Sequence, residues 1–324
     1  MGTLATRSGI VAEAATISGR GGARMFGIVS RPELAGAGQK ALIILGKTAP
    51  GDVWRWLAES LARAGWIVLR FEPCGLGDSP GGNPDVDVPM LHYFRGVQEG
   101  AYTEHVEDAI DWLSRTHGPD EIHLCGICAN CSSVLAAAAS RRAVAGVILS
   151  TPAVLYVQLQ PTLRAQHAES LVTGYGRRLF RPAAYINFLT GRSAYHDIWQ
   201  SVGWVLGRPQ VLARRALARF DRSPKPSHPH FNQRFWEAFR AVMERCTPVL
   251  ALLAENDSDT VEFTRELKEP VIDRCREYRE GCTVRVLAGA DHSLVADNAR
   301  EQMLAAVLEW SGSMEGLARA TKAG

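Results

Sequence analysis

Three cysteines at even spacing, Cys125, Cys128 and Cys131, stand within the stretch EIHLCGICANCSS from Glu121 to Ser133. Thiols in such a pattern can do three kinds of chemistry. They can ligate a metal or an iron–sulfur cluster, cycle between dithiol and disulfide, or supply a single nucleophile. A cluster needs a fourth ligand and an irregular loop that wraps the ion. Here an apolar strand pattern, EIHLCG, runs directly into an alanine-rich helical pattern, CSSVLAAAASRR. Cys125 then falls at the end of the strand, Cys128 in the turn and Cys131 in the first helical turn, so the three side chains diverge and no metal is expected among them. A redox pair on this spacing opens a helix too, but near the start of a smaller domain and with Pro or Gly between the cysteines.

Position favours the single nucleophile. Gly126-Ile127-Cys128-Ala129-Asn130 has the strand–turn–helix setting of a nucleophile elbow, Gly-x-Ser-x-Gly, with Cys in place of Ser. The turn is sharp, so its flanking residues must be small, as Gly126 and Ala129 are. The helix that begins there turns N–H groups and its positive dipole end toward the sulfur, which favours a thiolate. Asn130 replaces the second Gly of the pattern, a small departure because Asn tolerates unusual backbone angles.

A nucleophilic thiolate needs a base, and the base needs an orienting acid. Both have candidates at the ends of later strand patterns. After PVLALLA comes ENDSD, with Asp257 just past the strand and Asp259 two residues on. After TVRVL comes AGADHSL, with His292 in the loop before the last helix. The chain order nucleophile, acid, histidine is the one an elbow of this type requires. The strand VAGVILS is followed by Thr151-Pro152, with no carboxylate, and Asp291 is too close in sequence to orient the His292 ring. The expected triad is therefore Cys128, Asp257 and His292, with Asp259 as the other acid. Ala129 N–H would give one oxyanion donor. The second is expected from the loop after LIILG, at Lys47 or else Thr48, where the more usual His-Gly is replaced by Leu45-Gly46.

These residues must be held by a sheet. KALIILG and WIVLRF read as buried strands with VWRWLAESLARAG as a helix between them, and TEHVEDAIDWLSRTHG as a helix before EIHLCG. Strict strand–helix alternation up to Ser150 means crossover connections and a parallel sheet. Two earlier strands, VAEAATISG and RMFGIVSRP, precede it. From Thr151 to Arg245 the pattern turns helical and irregular, and strands return only after it. A core of 1–150 and 246–324 interrupted by a helical cap at 151–245 is the expected organisation.

The chain has 324 residues, 46% of them hydrophobic, which suffices for one large core with an insertion. Its formal net charge of +2 does not call for nucleic acid. No apolar run is long enough for a transmembrane helix, and no secretory signal pattern opens the chain. The seven scattered cysteines suit reduced thiols, so a cytoplasmic location is expected. The cap segment holds fourteen Lys/Arg against five Asp/Glu. That excess is either a solvated helical face or a basic surface for the phosphates of coenzyme A or for an acidic acyl carrier protein.

GWIVLRFEPCGLGDSPG, LCGICANCSSVLAA and LLAEND with GADHSL resemble the α/β-hydrolase superfamily over nearly the whole chain apart from the cap. ARMFGIVSRP and the elbow cysteine further resemble exosortase-system-associated hydrolases. Those proteins usually carry Asp where this chain has Ala129, and an Asp-Tyr-Arg-Gly loop where it has Glu72-Pro73-Cys74-Gly75. Dienelactone hydrolases and polyhydroxyalkanoate synthases also use a Cys-His-Asp triad on this fold. The resemblance implies an α/β-hydrolase fold, with a mostly parallel central sheet flanked by helices and an inserted helical cap. It also implies an enzyme that forms an acyl-thioester on Cys128, without a cofactor. Release to water makes it a thioesterase or esterase; release to another nucleophile makes it an acyltransferase or cyclase. The alternative to an enzyme is a non-catalytic protein of this fold that binds a ligand under its cap, and the altered oxyanion loop is the feature in its favour.

Overall fold

The computed structural model describes residues 2–7, 9–34, 39–46, 52–81, 90–156 and 225–323. Nine strands form one sheet: β1 (Gly2–Arg7), β2 (Ile10–Ser18), β3 (Arg24–Pro32), β4 (Lys40–Leu45), β5 (Ile67–Phe71), β6 (Glu121–Ile127), β7 (Val144–Ser150), β8 (Val249–Ala254) and β9 (Cys282–Leu287). Their order across the sheet is β1-β2-β3-β5-β4-β6-β7-β8-β9. The first three strands and β5 pair antiparallel; from β5 through β4 to β9 every pairing is parallel. All eight strands read from the sequence are present. The ninth, β1, extends the antiparallel edge.

Among the described residues the helices are α1 (Asp52–Arg63), α2 (Met90–Gln98), α3 (Thr103–His117), α4 (Cys131–Ser140), α5 (Gln233–Glu244), α6 (Ser258–Phe263), α7 (Arg276–Gly281) and α8 (Asp297–Ala323). A π-helical stretch, Thr264–Ile272, with Pro270 inside it, follows α6. None of these helices is long and apolar enough to cross a membrane.

Both faces of the central strands β4 and β8 are covered, which is why their runs are apolar at nearly every position rather than at alternate ones. In β4, Ile43 and Leu45 enter one core layer with α3, α4 and α5, while Leu42 and Ile44 enter the other with α1 and α8. All four are buried. Helix α5 packs against α4 through the first layer, with Phe235, Phe239 and Val242 buried. Its N-cap, Asn232, is fully buried: Oδ1 accepts from Phe235 N–H at 3.1 Å, and Nδ2 donates to the Gln98 carbonyl at 2.7 Å and to Ser132 Oγ at 3.1 Å. One amide therefore joins the starts of α4 and α5 to the end of α2.

The chain divides into two compact units, Met1–Val157 with Lys225–Gly324, and Gln158–Pro224. The first holds the whole sheet together with α5, a helix that falls inside the 151–245 segment expected as cap. The second lies outside the described residues, as do the arginines of that segment at positions 177, 178, 214 and 215.

Candidate active site

Strand β6 lies in the middle of the sheet and ends between two others. Gly126 is paired with Leu45 of β4 and Leu149 of β7, and Ile127 with Ser150. Cys128 is the first residue out of the sheet. It opens a 3₁₀ turn, Cys128–Asn130, that runs straight into α4. Its φ is +52°, a left-handed conformation that costs a side-chain-bearing residue about 1–2 kcal/mol. Strain of this kind persists only where the surroundings over-determine it, and here they do. A Cβ on Gly126 would lie 2.5 Å from Val134 Cγ2 and 2.7 Å from Cys131 Cα, so strand and helix meet too closely for any other residue. The Cys131 thiol tightens the turn from the other side, donating to the Gly126 carbonyl at 3.3 Å. Asn130, in place of the pattern's second Gly, is ordinary right-handed helix (φ −67°, ψ −13°); the turn's positive φ lies two residues earlier, at Cys128.

The three cysteines diverge. Cys125 and Cys131 are both buried, Cys125 in the core layer under α1 and α8 and Cys131 in the layer under α4. Burial pushes the Cys125 thiol up to about 12 and the Cys131 thiol well above its ordinary value, so both are inert protonated thiols. Cys128 is partly exposed.

Two loops meet over Cys128, one after β8 and one after β9. They are tied to each other by Asn256 N–H to the Ala290 carbonyl at 2.8 Å and Gly289 N–H to Glu255 Oε2 at 2.6 Å. Asp257 is the N-cap of α6. Its Oδ1 accepts from Asp259 N–H at 3.2 Å, and its Oδ2 lies 2.7 Å from His292 Nδ1. Its side chain is 5% exposed, that of His292 49%. The His292 pKa is raised to about 10, first by its hydrogen bond to the Cys128 side chain and the charge there, then by Asp257, against desolvation. Asp291 does not orient the ring; its Oδ1 accepts from Ser293 N–H, Ser293 Oγ and Leu294 N–H.

Asp259 stands beside this line rather than in it. Its Oδ2 is 3.8 Å from His292 Nδ1. Desolvation, then the charge of Asp257, lifts its pKa to about 6. One of its carboxylate oxygens, Cys128 Sγ and a ring nitrogen of His292 lie within 4.8 Å of one another.

Ala129, buried, follows Cys128 in the 3₁₀ turn. Lys47 and Thr48 lie outside the described residues. Gly46, one residue past Leu45, is the last described residue before them; Leu45 pairs with Gly126 of the elbow strand.

Two contributors escaped the sequence reading. Helix α2, which packs against the elbow, lies between a Gly/Pro-rich loop and α3. Its signal was present in Met90, Tyr93, Phe94 and Val97, at helical spacing. Thr151, after β7, has φ +44° and a buried hydroxyl, beside the same end of β6. Nothing in the sequence marks that backbone, since a residue before Pro usually stays extended.

No protein-family model matches the chain, and no curated protein matches it. Solved structures do. A dienelactone hydrolase from Anabaena variabilis is similar at a TM-score of 0.54 and 15% identity, over 94% of this chain and 97% of that one. The α/β hydrolase GrgF from a Penicillium species is similar at 0.52 and 19%, over 92% and 97%. Est1E from Butyrivibrio proteoclasticus, solved with ferulic acid bound, is similar at 0.51 and 17%, over 93% and 98%. With the strand order and the elbow, these likenesses identify the architecture: the chain has the α/β-hydrolase fold.

Proposed function

We propose that this protein is an acyl-processing hydrolase that works through a thioester acyl-enzyme on Cys128. The observation that carries the reading is the line Asp257–His292–Cys128, with the 2.7 Å carboxylate–imidazole contact at one end and a strained, partly exposed cysteine at the other. Its neighbours in fold include proteins described as dienelactone and α/β hydrolases, which agrees with hydrolysis in general.

In this reading Cys128 and His292 rest as a thiolate–imidazolium pair, with Asp257 fixing the ring through Nδ1. The thiolate attacks the substrate's acyl carbon. The oxyanion that forms is held by Ala129 N–H and a donor from the loop that holds Lys47. When the tetrahedral species collapses, the leaving thiol or alcohol takes the proton from His292, and the acyl group stays on Cys128 as a thioester. Neutral His292 then removes a proton from water, which attacks the thioester. The carboxylic acid leaves and the thiolate–imidazolium pair is restored. An amine or carbon nucleophile in place of water makes the same enzyme an acyltransferase or cyclase.

A thiolate exchanges readily with a thioester, because a thiol of similar basicity replaces a thiol. We therefore assign thioesters and activated esters as the substrate class, with coenzyme A or carrier-protein thioesters as the form suited to the arginine-rich segment within 151–245. That segment, centred on Gln158–Pro224, we assign as the cap. The test is turnover of a chromogenic thioester and of a nitrophenyl ester by the full chain. Turnover of neither would favour the non-catalytic alternative. If the arginines bind phosphate, KM for the coenzyme A thioester rises with salt while KM for the small ester does not.

A further inference from the structure

Asp259 is not needed by the triad, yet its carboxylate faces the nucleophile. We propose that Cys128 Sγ, a ring nitrogen of His292 and the Asp259 carboxylate together form a zinc-binding site that competes with acyl chemistry at the same cysteine. The three donor atoms lie within 4.8 Å of one another. Zinc–ligand bonds of about 2.0–2.3 Å would bring tetrahedral donors to roughly 3.3–3.8 Å apart. Closing the gap asks the His292 and Asp259 side chains to turn, in a site where His292 is 49% and Asp259 22% exposed.

The donor set is selective. A thiolate excludes the hard cations magnesium and calcium, and thiolate, imidazole and carboxylate together suit zinc. Three protein ligands leave a fourth position open, as in zinc sites that bind water or substrate. The outer shell is in place as well: a metal-ligating histidine ordinarily gives its other ring N–H to a carboxylate, and Asp257 already accepts from Nδ1. That contact leaves Nε2 for the ion, and Asp259 Oδ2, which lies 3.8 Å from Nδ1, must turn toward Nε2 to complete the set. A zinc ion bound there would occupy the lone pairs of both Cys128 and His292, displacing the proton from His292 and removing nucleophile and acid at once. The two carboxylates and the thiolate supply the negative charge that balances the ion.

The experiment uses the full chain freed of metal. Zinc chloride is titrated against a chromogenic chelator, and alkylation of each cysteine by iodoacetamide is followed by mass spectrometry with and without zinc. The expected result is one zinc per chain, held at least tenfold more weakly by Asp259→Asn and by Cys128→Ala. Zinc should also protect Cys128, reversibly with chelator, while exposed Cys246 reacts either way. Alkylation of wild-type Cys128 that is indifferent to zinc overturns the site, whether or not the variants fold. So does zinc affinity unchanged in folded Asp259→Asn. The inference uses the triad's residues but not its turnover. Zinc binding without acylation of Cys128 would sustain the site and sink the hydrolase reading; acylation without zinc binding would do the reverse.

Discussion

Asp257 holds His292 with one carboxylate oxygen and its own helix with the other: Oδ2 lies 2.7 Å from Nδ1, and Oδ1 accepts from Asp259 N–H at 3.2 Å. Both oxygens are committed, so the carboxylate cannot swing away from the ring. Asp259, 3.8 Å from the same nitrogen, has no such constraint from the helix terminus. Asp257→Asn should therefore cost about 10³-fold or more in kcat, since the amide can favour the wrong tautomer, and far more than Asp259→Asn. Steady-state kinetics on both variants checks the ordering. An equal loss would mean the two acids share the role.

The elbow predicts its own fragility. Gly126→Ala forces a methyl to within 2.7 Å of the Cys131 backbone. Overpacking of this kind costs about 1–3 kcal/mol, and here it also displaces Cys128. Urea denaturation should show a lowered midpoint with an unchanged slope, and turnover should fall with it.

Asn232→Ala removes a helix cap and two donor bonds from a fully buried position. The expected loss is about 2–3 kcal/mol. Asn232→Asp keeps the cap but loses both donors, so it should not restore stability. Chemical denaturation of the pair of variants tests this.

His123 sets a pH dependence remote from the site. It is buried between Trp66 and Trp310, at ring centroid distances of 5.2 and 5.7 Å. Desolvation, then the charge of Lys40, lowers its pKa to about 4. The unfolded chain binds this proton near pH 6.5 and the folded chain only near 4. Stability is therefore full above about pH 6.5 and falls as pH drops through that window, by roughly 3 kcal/mol. Denaturation midpoints from pH 7.5 to 4 should fall less steeply in His123→Leu than in the wild type.

The central parallel strands were legible because both of their faces are buried, which makes KALIIL and VLALLA almost continuous apolar runs. Cys128, Asp257 and His292 were legible for a related reason. Each sits one or a few residues past such a strand, where chain order and turn residues narrow the choice. Other features escaped because they depend on tertiary context. Spacing put Asp257 ahead of Asp259, but the helix cap that fixes its carboxylate shows only in the structure. The positive φ at Cys128, rather than at Asn130, follows from how tightly Gly126 meets Cys131. Asn232 looks like any polar residue before a helix until Gln98 and Ser132 are brought to it. Helix α2 was hidden by the Gly/Pro-rich run before it, although its own apolar spacing was readable.

The central claim is that the acyl group passes through Cys128. The most direct measurement is to mix the protein with a nitrophenyl ester or chromogenic thioester, quench in acid within one turnover, and locate the added mass by tandem mass spectrometry of the peptide spanning Glu121–Ser133. The account predicts an acyl adduct on Cys128 in the wild type and in Cys125→Ala and Cys131→Ala, with both adduct and turnover absent from folded Cys128→Ala. Turnover that survives in Cys128→Ala, or that is lost equally in all three variants, would contradict it.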